Sequence, residues 1–496
     1  MNRLVVMKFG GTSVEDASAI LRTARIVAGR VSQGLQPVVV VSAMAKVTDL
    51  LISAATTAAK GDRATALAIT ERLRIRHCDT ATQLAMGPAL REDPMAAVRK
   101  DDGLAATHAW MEAEFDGLEE VLRGLAVVGE LTPRISDMIV SYGERVSSRM
   151  ITEAFARCGL NAVYVDARKC IVTDAQHGKA IPQDAATEAR LKQHVAPHLA
   201  EGRVPVMGGF IGATEAGVTT TLGRGGSDFT AAVVGGGIDA GVIEIWTDVD
   251  GIMTADPRVC PDALRVKTIS FEEAAELAYF GAKVLHPATI LPAVRKNIPV
   301  FVLNSKNPES GGTRITALAT HCKSPFKSIA VKKRLTIMDI VASRMLLSHG
   351  YLRAIFEVFD KHKCPIDMVS TSEVSVSLSL DSNEKLPAIA ADLSKLADVK
   401  YEGRKALVCM VGEDIRGQNG IAARVFQAIR HVNLRMISQG ASEINMSFMV
   451  EEDDAEEAVR SLHAEFFRDP DPAIFDVEAK RQPVAGSDGQ PVVRSR

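Results

Sequence analysis

The strongest constraint on the fold is a pattern that occurs twice in the C-terminal third of the chain. A shift of 70 residues places two glycines, two phenylalanines and two Ser-Glu pairs on one another: Gly350 on Gly420, Phe356 on Phe426, and Ser372-Glu373 on Ser442-Glu443. Each copy has helical spacing, over 352–362 or 422–432, followed by alternating apolar and polar residues over 374–380 or 444–450. Period-two alternation is typical of a strand with one buried face. Each copy therefore predicts strand, turn, helix, strand and strand, a compact α+β module.

The N-terminal part of the chain shows a different pattern, in which short apolar runs alternate with amphipathic segments. Residues 3–9 and 37–41 are predicted to be buried strands, with a helix over 17–28 between them. Strand–helix–strand units are typical of a parallel sheet covered by helices. Residues 50–125 lack a strand signal, and we interpret them as a helical excursion that forms a lid or an interface. Further strands are predicted at 162–165, 204–211 and 242–247, and further helices at 228–234 and 271–279.

The composition indicates an ordinary globular protein of a reducing compartment. The chain has 496 residues with a formal charge of −3 and only 5% aromatic residues, which disfavours a nucleic-acid binder. Its seven cysteines form no C-x-x-C pair, which argues against a zinc site or a disulfide framework. The sequence shows no signal peptide and no apolar run of about 18 residues. We therefore expect a cytoplasmic protein that does not bind membranes.

Two glycine-rich turns are the best candidates for a phosphate site. Residues 8–13, Lys-Phe-Gly-Gly-Thr-Ser, follow a strand, and glycine N–H groups can face an anion there. Residues 223–228, Gly-Arg-Gly-Gly-Ser-Asp, precede a helix whose positive end favours phosphate. Arg224 offers a fork for a carboxylate or a phosphate. A turn-rich loop over 246–258 is a weaker candidate, and a plain turn explains it equally well.

Together these motifs resemble those of aspartate kinases, in the amino-acid kinase family. The matching motifs occur in family order at 8–14, 41–44, 142–145, 223–228, 247–251, 256–258 and 280–287. The 70-residue repeat resembles the paired ACT domains that follow the kinase domain in this family. The resemblance implies an α/β amino-acid kinase fold, with a parallel-rich central sheet covered by helices, followed by two ferredoxin-like α+β ACT modules.

The same resemblance divides the chain into five segments. They are a catalytic domain over 1–310, a linker over 311–334, ACT domains over 335–403 and 404–475, and a disordered tail over 476–496. There is no room for an attached homoserine dehydrogenase, so we expect a monofunctional enzyme.

The activity that the resemblance implies is ATP-dependent phosphorylation of the L-aspartate side chain to 4-phospho-L-aspartate. This is the first step toward lysine, threonine and methionine. The nucleophilic carboxylate has a pKa near 3.9 and is ionised at pH 7, so the reaction needs no general base. ATP is the co-substrate, and Mg²⁺ is expected to be held mainly by its phosphates and water rather than by protein ligands.

Site residues follow from the resemblance position by position. Lys8 is expected to contact the transferred phosphate, and Asp228 to orient Lys8 or a substrate group. Glu144 is expected to pair with the α-ammonium of aspartate, and Arg224 with its α-carboxylate. The implied substrate-binding residues are Thr48, Glu144, Arg224 and Ser227. The implied ATP-binding residues are Lys8, Gly10, Gly11, Ser42, Thr247, Asp248, Met253, Arg258, Lys283 and Val284.

The first ACT module resembles the lysine-sensitive kind, which implies feedback inhibition by an end-product amino acid. Lysine is the preferred effector and threonine the second, and we expect a homodimer or a larger assembly through the ACT modules. The implied effector-binding residues are Met345, Ser348, Gly350, Tyr351, Leu352, Ile366, Asp367, Ser372 and Glu373. Some of these, Leu352 and Ile366 above all, are equally explained as packing residues. The alternatives are a related kinase acting on glutamate, N-acetylglutamate or a nucleotide, and an inactive effector-binding protein.

Overall fold

The structure is a computed structural model that describes residues 2–86, 102–281, 289–318, 322–341, 350–382 and 384–477. The strands in these residues are β1 (Leu4–Phe9), β2 (Gln36–Val41), β3 (Ala162–Tyr164), β4 (Val204–Gly208), β5 (Ile211–Ala213), β6 (Thr219–Thr221), β7 (Val242–Thr247), β8 (Thr268–Ser270), β9 (Val300–Asn304), β10 (Thr313–Thr316), β11 (Phe326–Val341), β12 (Met368–Thr371), β13 (Ser375–Asp381), β14 (Asp398–Gly412), β15 (Met436–Gln439) and β16 (Asn445–Glu451).

The α-helices in the same residues are α1 (Ala17–Ser32), α2 (Val47–Ala59), α3 (Arg63–Met86), α4 (Asp102–Val128), α5 (Pro133–Arg157), α6 (Ala167–Cys170), α7 (Asp184–His194), α8 (Ala196–Ala200), α9 (Gly226–Gly237), α10 (Phe271–Tyr279), α11 (Leu291–Arg295), α12 (Tyr351–Lys361), α13 (Leu386–Leu393), α14 (Ile421–Ala428) and α15 (Ala455–Phe466). The described residues contain no helix that is long and apolar enough to cross a membrane.

The chain divides into two compact units. The first unit comprises residues 1–251 and 284–317, and the second comprises residues 252–283 and 318–496. The boundary therefore differs from the predicted catalytic domain, because residues 252–281 pack with the C-terminal part of the chain. The Lys267 N–H donates to the Ile474 carbonyl at 2.7 Å, and Arg265 pairs with Asp476 at 2.5 Å.

The first unit contains the predicted parallel sheet. Seven of its strands follow the order β3-β4-β2-β1-β7-β9-β10, and the first six run parallel to one another. Only β10 is antiparallel to its neighbour β9. The central strand β1 is apolar over almost its whole length and buried on both faces, as expected for a sheet covered by helices.

The helical excursion predicted over 50–125 is part of the core of the first unit. Helices α2, α3 and α4 bury Leu51, Leu73 and Phe115 to within 2% exposure, in one hydrophobic cluster with α5. These helices therefore enlarge the core rather than form a separate lid. Residues 87–101 of the predicted excursion lie outside the described residues.

Strand order in the first unit creates a crevice at one edge of the sheet. From β1, the chain crosses to β2 on one side and later returns to β7 on the other side. In open parallel sheets, ligands bind at the carboxyl ends of the strands where the order reverses in this way. Residues that follow β1 and β2, together with β4 and its continuation, are therefore placed to form a site.

The second unit contains one antiparallel sheet built from the two repeats. Its order is β12-β13-β11-β14-β16-β15, with the long strands β11 and β14 paired at the centre. Residues 335–341 of β11 also pair with β13, whereas residues 405–411 of β14 also pair with β16. Each long strand thus belongs to both repeats.

This sharing completes a ferredoxin-like βαββαβ module in each repeat. The first module uses residues 335–341 of β11, then α12, β12, β13 and α13, and takes residues 398–402 of β14 as its fourth strand. The second module starts with the rest of β14 and takes residues 326–332 of β11 as its fourth strand. The helix and strands predicted in each repeat are present, and each repeat adds a second helix, α13 or α15.

Residues 311–334, which the sequence predicts to be a linker, contain β10 and the first half of β11. The run Phe326–Ala330 is buried, as a strand inside a sheet requires. Three basic residues follow at 332–334, and two of them are neutralised by carboxylates. Lys332 pairs with Asp367 at 2.8 Å, and Lys333 pairs with Glu456 at 2.7 Å.

The chain also remains packed close to its C-terminus. Phe475 is fully buried, and the Asp476 N–H donates to the Arg265 carbonyl at 2.9 Å. The tail predicted from residue 476 therefore begins with a residue that is anchored, and residues 478–496 lie outside the described residues.

Each long strand bends where it passes from one module to the other. Arg334 and Arg404 adopt φ values of 63° and 55°, in the left-handed region that favours glycine. The pairing register of β11 and β14 shifts around these two residues. The bends therefore depend on non-glycine residues in a strained conformation, which costs about 1–2 kcal/mol for each residue.

We expect the Arg404→Gly substitution to raise the unfolding free energy of the second unit by up to about 1 kcal/mol, because glycine relieves this strain at a smaller cost in entropy. The lost ion pair with Asp453 is exposed on both sides and contributes little. Lys400→Gly on the same strand is the matched control and should lower stability by about 0.5–1 kcal/mol. Calorimetric melting of both variants checks this, and equal destabilisation by the two glycines would contradict it.

Candidate active site

The site is built around a lysine at the carboxyl end of β1. Lys8 is 8% exposed, and its Nζ lies 2.6 Å from Oδ1 of Asp228. Gly10 and Gly11 follow shortly after Lys8, and they allow the backbone after β1 to approach the backbone after β2 closely. A Cβ on Gly11 would lie 3.0 Å from the carbonyl oxygen of Ala43, so the turn requires a residue without a side chain.

Helix α9 brings the second glycine-rich motif to the same place. Gly223 and Gly225 have φ values of 77° and 71°, and α9 begins at the next residue, Gly226. Asp228 lies in the first turn of this helix, where the positive end of the helix dipole favours a carboxylate. A Cβ on Gly209 would lie 2.7 Å from the Cβ of Ser227, so the start of α9 packs directly on the chain that follows β4.

A buried carboxylate lies on another wall of the site. Glu144 of α5 is 3% exposed, and its Oε1 accepts a hydrogen bond from the Ala43 N–H at 3.2 Å. Its Oε2 is also buried and has no hydrogen-bond partner among the residues that the structure describes. Burial raises the pKa of Glu144 to about 8. A buried carboxylate with an unpartnered oxygen is suited to binding a cation.

These groups surround one cavity of about 530 Å³, a volume typical of a small-molecule site. Eight of the residues implied by the sequence line it: Lys8, Gly11, Ser42, Thr48, Glu144, Arg224, Ser227 and Asp228. Gly10 is buried behind them, where its N–H donates to the Trp246 carbonyl at 3.0 Å. The side chain of Arg224 is exposed at the cavity wall.

The sequence missed two lining residues with unusual backbone conformations. Lys46, just before α2, and Phe210, just before β5, have φ values of 68° and 64°. Non-glycine residues in this region often mark functional sites, because surrounding contacts must hold them there. The signal lies in the backbone angle, which residue type alone does not reveal.

The residues implied to bind ATP are distributed over both units. Thr247 and Asp248 lie at the carboxyl end of β7 in the first unit, where the Thr247 hydroxyl donates to the Asp248 carboxylate at 3.3 Å. Met253 and Arg258 lie in the second unit, and Arg258 is exposed and pairs with Asp256 at 2.6 Å. Lys283 and Val284 lie outside the described residues. These nucleotide contacts stay a prediction.

The implied effector residues lie around α12 and β12 in the first module. Asp367 is the buried charge among them, and its carboxylate contacts the Lys332 ammonium at 2.8 Å and the Tyr279 hydroxyl at 3.3 Å. Ile366 packs against the hydrophobic core of the module, whereas Leu352 is 39% exposed. Met345 and Ser348 lie outside the described residues.

The other four implied effector residues lie close to these elements. Gly350 precedes α12 with a φ of 77°, and the hydroxyl of Tyr351 donates to the Leu396 carbonyl at 3.1 Å. Ser372 is exposed with its hydroxyl 2.7 Å from that of Ser375, and Glu373 is exposed beside it. These positions also stay a prediction.

Comparison with known proteins agrees with this architecture. The model of the amino acid kinase family matches residues 3–304, and a model of the ACT domain matches residues 408–466. The chain is 37% identical over 488 residues to the lysine-sensitive aspartokinase 3 of Escherichia coli, covering 94% of this chain and 100% of that protein.

Solved structures of E. coli aspartokinase III resemble nearly the whole chain. One holds aspartate and ADP in the R-state, and another holds lysine and aspartate in the T-state. Each has a TM-score of 0.77 and 36% identity, and covers 94% of this chain and 100% of the solved chain. The chain is therefore a member of the amino acid kinase family and belongs with its aspartokinases.

Proposed function

We propose that this protein transfers the γ-phosphoryl group of ATP to the side-chain carboxylate of L-aspartate, forming 4-phospho-L-aspartate and ADP. The observation that supports this best is the unpartnered buried oxygen of Glu144, in the same cavity as Arg224 and the Lys8–Asp228 pair. A zwitterionic amino acid with an additional carboxylate matches this set of charges.

Opposite charges in the cavity select and orient the amino acid. Glu144 binds the α-ammonium group, and Arg224 binds the α-carboxylate through a forked pair of hydrogen bonds. Thr48 and Ser227 line the same cavity and offer hydroxyl groups to the substrate. An N-acylated amino acid has no ammonium group for Glu144, so this arrangement disfavours N-acetylglutamate as the acceptor.

Phosphoryl transfer requires positioning and positive charge more than acid–base chemistry. Lys8 supplies an ammonium group at the end of β1, and Asp228 orients it through the 2.6 Å contact. The N–H groups at the start of α9 add positive potential. Because the acceptor carboxylate is already ionised, no residue has to remove a proton from it.

ATP and Mg²⁺ are the remaining components. We propose that Gly10, Gly11 and Ser42 line the phosphate path, and that Thr247, Asp248, Met253, Arg258, Lys283 and Val284 hold the nucleotide. The described residues contain no group of three or more side chains that could hold a metal ion. We propose that Mg²⁺ enters with the ATP phosphates and shields their negative charge, because this ion prefers phosphate and water oxygens as ligands.

Regulation is proposed to reside in the ACT modules, with lysine as the inhibitor. Asp367 supports this, because it is a buried carboxylate that already holds an ammonium group, that of Lys332. Exposed apolar side chains of the first module, Leu352, Phe356 and Val369, support assembly into a homodimer or a larger oligomer. Residues 1–310 remain the proposed catalytic domain because the amino acid kinase family model matches residues 3–304, even though residues 252–281 pack with the second compact unit. The seven free cysteines fit a cytoplasmic enzyme.

Trapping of the acyl phosphate tests the activity directly. Hydroxylamine should convert the product to aspartyl hydroxamate in a reaction that requires ATP, Mg²⁺ and L-aspartate, and millimolar L-lysine should lower the yield. Parallel reactions with glutamate and N-acetylglutamate test the alternative acceptors. Hydroxamate formation from one of these acceptors but not from aspartate would overturn the substrate assignment.

Binding of aspartate should release a proton near neutral pH. Because the pKa of Glu144 is raised to about 8, this residue is mostly neutral at pH 7 and must ionise to pair with an ammonium group. We expect nearly one proton to be released for each aspartate bound at pH 7, decreasing toward zero as pH rises past about 8. Titration calorimetry in buffers of different ionisation enthalpy measures this number.

The control for the proton release is the Glu144→Gln variant, which has no proton to lose at this position. Any residual aspartate binding by that variant should proceed without proton release. Equal release by both proteins would assign the proton to another group and contradict the proposed role of Glu144.

A further inference from the structure

Outside the cavity, one buried carboxylate holds three chain segments together behind the substrate site. Asp137 of α5 is 1% exposed and does not line the cavity. Its Oδ1 accepts from the Thr221 hydroxyl at 2.5 Å and the Gly178 N–H at 3.0 Å. Its Oδ2 accepts from Nδ1 of His177 at 2.7 Å and from the same Gly178 N–H at 3.1 Å.

These contacts lead directly to the loop that carries Arg224. Thr221 is the last residue of β6, three positions before Arg224. The Gly178 carbonyl supports the same loop from the side, since a Cβ on Gly223 would lie 3.0 Å from it. The Ala180 N–H also donates to the Thr221 carbonyl at 2.9 Å, so Asp137 holds this loop both directly and through residues 177–180.

Asp137 also lies on the same helix as Glu144, which stands at the opposite end of the substrate site. It lies on α5 seven residues before Glu144, about two helical turns, so both side chains are on the same side of the helix. One rigid helix therefore bears the carboxylate for the ammonium group and the anchor of the loop that bears the arginine.

We propose that Asp137 is a positioning residue that sets the spacing between Glu144 and Arg224, and thereby the affinity for the amino acid. This inference rests on the proposed function of the cavity. Asp137 itself touches neither substrate in this scheme. Its loss should loosen the loop over 222–226, and a displacement of about 1 Å is enough to weaken binding strongly.

The Asp137→Ala variant should raise KM for aspartate about tenfold or more, with KM for ATP changed by less than about twofold. Asp137→Asn retains an oxygen that can accept from Thr221 and Gly178 but loses the acceptor for His177, so its effect should be intermediate. Asp184→Asn, at an exposed surface pair with Arg295, is the matched control and should leave both KM values unchanged.

Amide hydrogen exchange in the free protein provides a second readout that does not depend on the substrate. Exchange over 222–226 should become faster in Asp137→Ala and Thr221→Val, while that of β1 stays as in the wild type. Unchanged exchange, or an equal rise in both KM values, would overturn the positioning role. Failure of the wild type to use aspartate would instead overturn the proposed function, while the exchange result would still decide whether Asp137 holds the loop.

If Asp137→Ala does not fold, the comparison of Asp137→Asn with Thr221→Val decides the question. Each removes part of the network, and the proposal requires a rise in KM for aspartate in both without a matching rise in KM for ATP. A normal KM for aspartate in both folded variants would refute it.

Discussion

Replacement of Lys8 by alanine should lower kcat about a thousandfold while the protein remains folded. The ammonium group is the positive charge at the carboxyl end of β1, and removal of one preorganised charge at a reacting centre costs about 10²–10³ in kcat. Lys8→Ala also leaves Asp228 in the cavity without its cation, which adds repulsion toward the phosphates. Aspartyl hydroxamate formation at saturating substrates measures the effect.

Two controls separate this role from a structural one. Lys192→Ala removes an exposed lysine of α7 that pairs with the neighbouring Glu188, and it should retain wild-type turnover. Lys8→Ala combined with Asp228→Asn removes the unpaired carboxylate and should remain inactive. Turnover of Lys8→Ala within tenfold of the wild type would refute the proposed contact with the transferred phosphate.

The Glu144→Gln substitution should lower kcat/KM for aspartate about 10²–10³-fold. The change keeps the shape of the side chain but removes the charge that pairs with the ammonium group, and loss of one partner of a buried charge pair costs 2–5 kcal/mol or more. KM for ATP should change little, since the contact proposed for this carboxylate is with the amino acid. Steady-state kinetics with each substrate varied in turn measure both constants.

Glu153→Gln provides the matched control on the same helix. Glu153 is partly exposed, pairs with Arg157 at i,i+4 and does not line the cavity, so this variant should retain the wild-type kinetic constants. If Glu144→Gln raises KM for ATP as much as KM for aspartate, the damage is general and the assignment to the ammonium group is wrong.

The parallel sheet and the two repeats could be predicted because their signals are local. Strand β1 is apolar except for Lys8 and precedes a glycine pair, and the alternating residues of β13 and β16 match in both repeats. Helix α13 was missed although Leu386, Ile389 and Leu393 recur at helical spacing and are buried.

Other features depend on partners distant in sequence. Residues 326–332 have the composition of a strand, but their neighbour in the sheet lies about 75–85 positions later, at residues 407–412 of β14. The linker predicted over 311–334 therefore includes a strand, and Lys332 and Lys333 acquire their carboxylate partners, Asp367 and Glu456, only after folding. No local pattern encodes such pairings.

Within the site, family resemblance placed the charged residues but not their supports. Lys8, Glu144 and Arg224 lie in recognisable motifs, whereas the conformations of Lys46 and Phe210 depend on how neighbouring segments pack. Asp137 was also overlooked, because its partners come from a loop about 40 positions away and from the end of strand β6, 84 positions away. Buried polar networks of this kind become visible only in three dimensions.

The shared central strands make the two regulatory modules one folding unit. A tandem duplication would first produce two self-contained halves, and the first half is still complete within residues 335–402, but the second half takes its outer strand, residues 326–332, from the chain that precedes the first half. A protein cut at residue 403 would lose the first strand of the second half and leave residues 326–332 without their partner. The halves should therefore melt in a single transition, and a ligand that tightens one half acts on the other through continuous backbone.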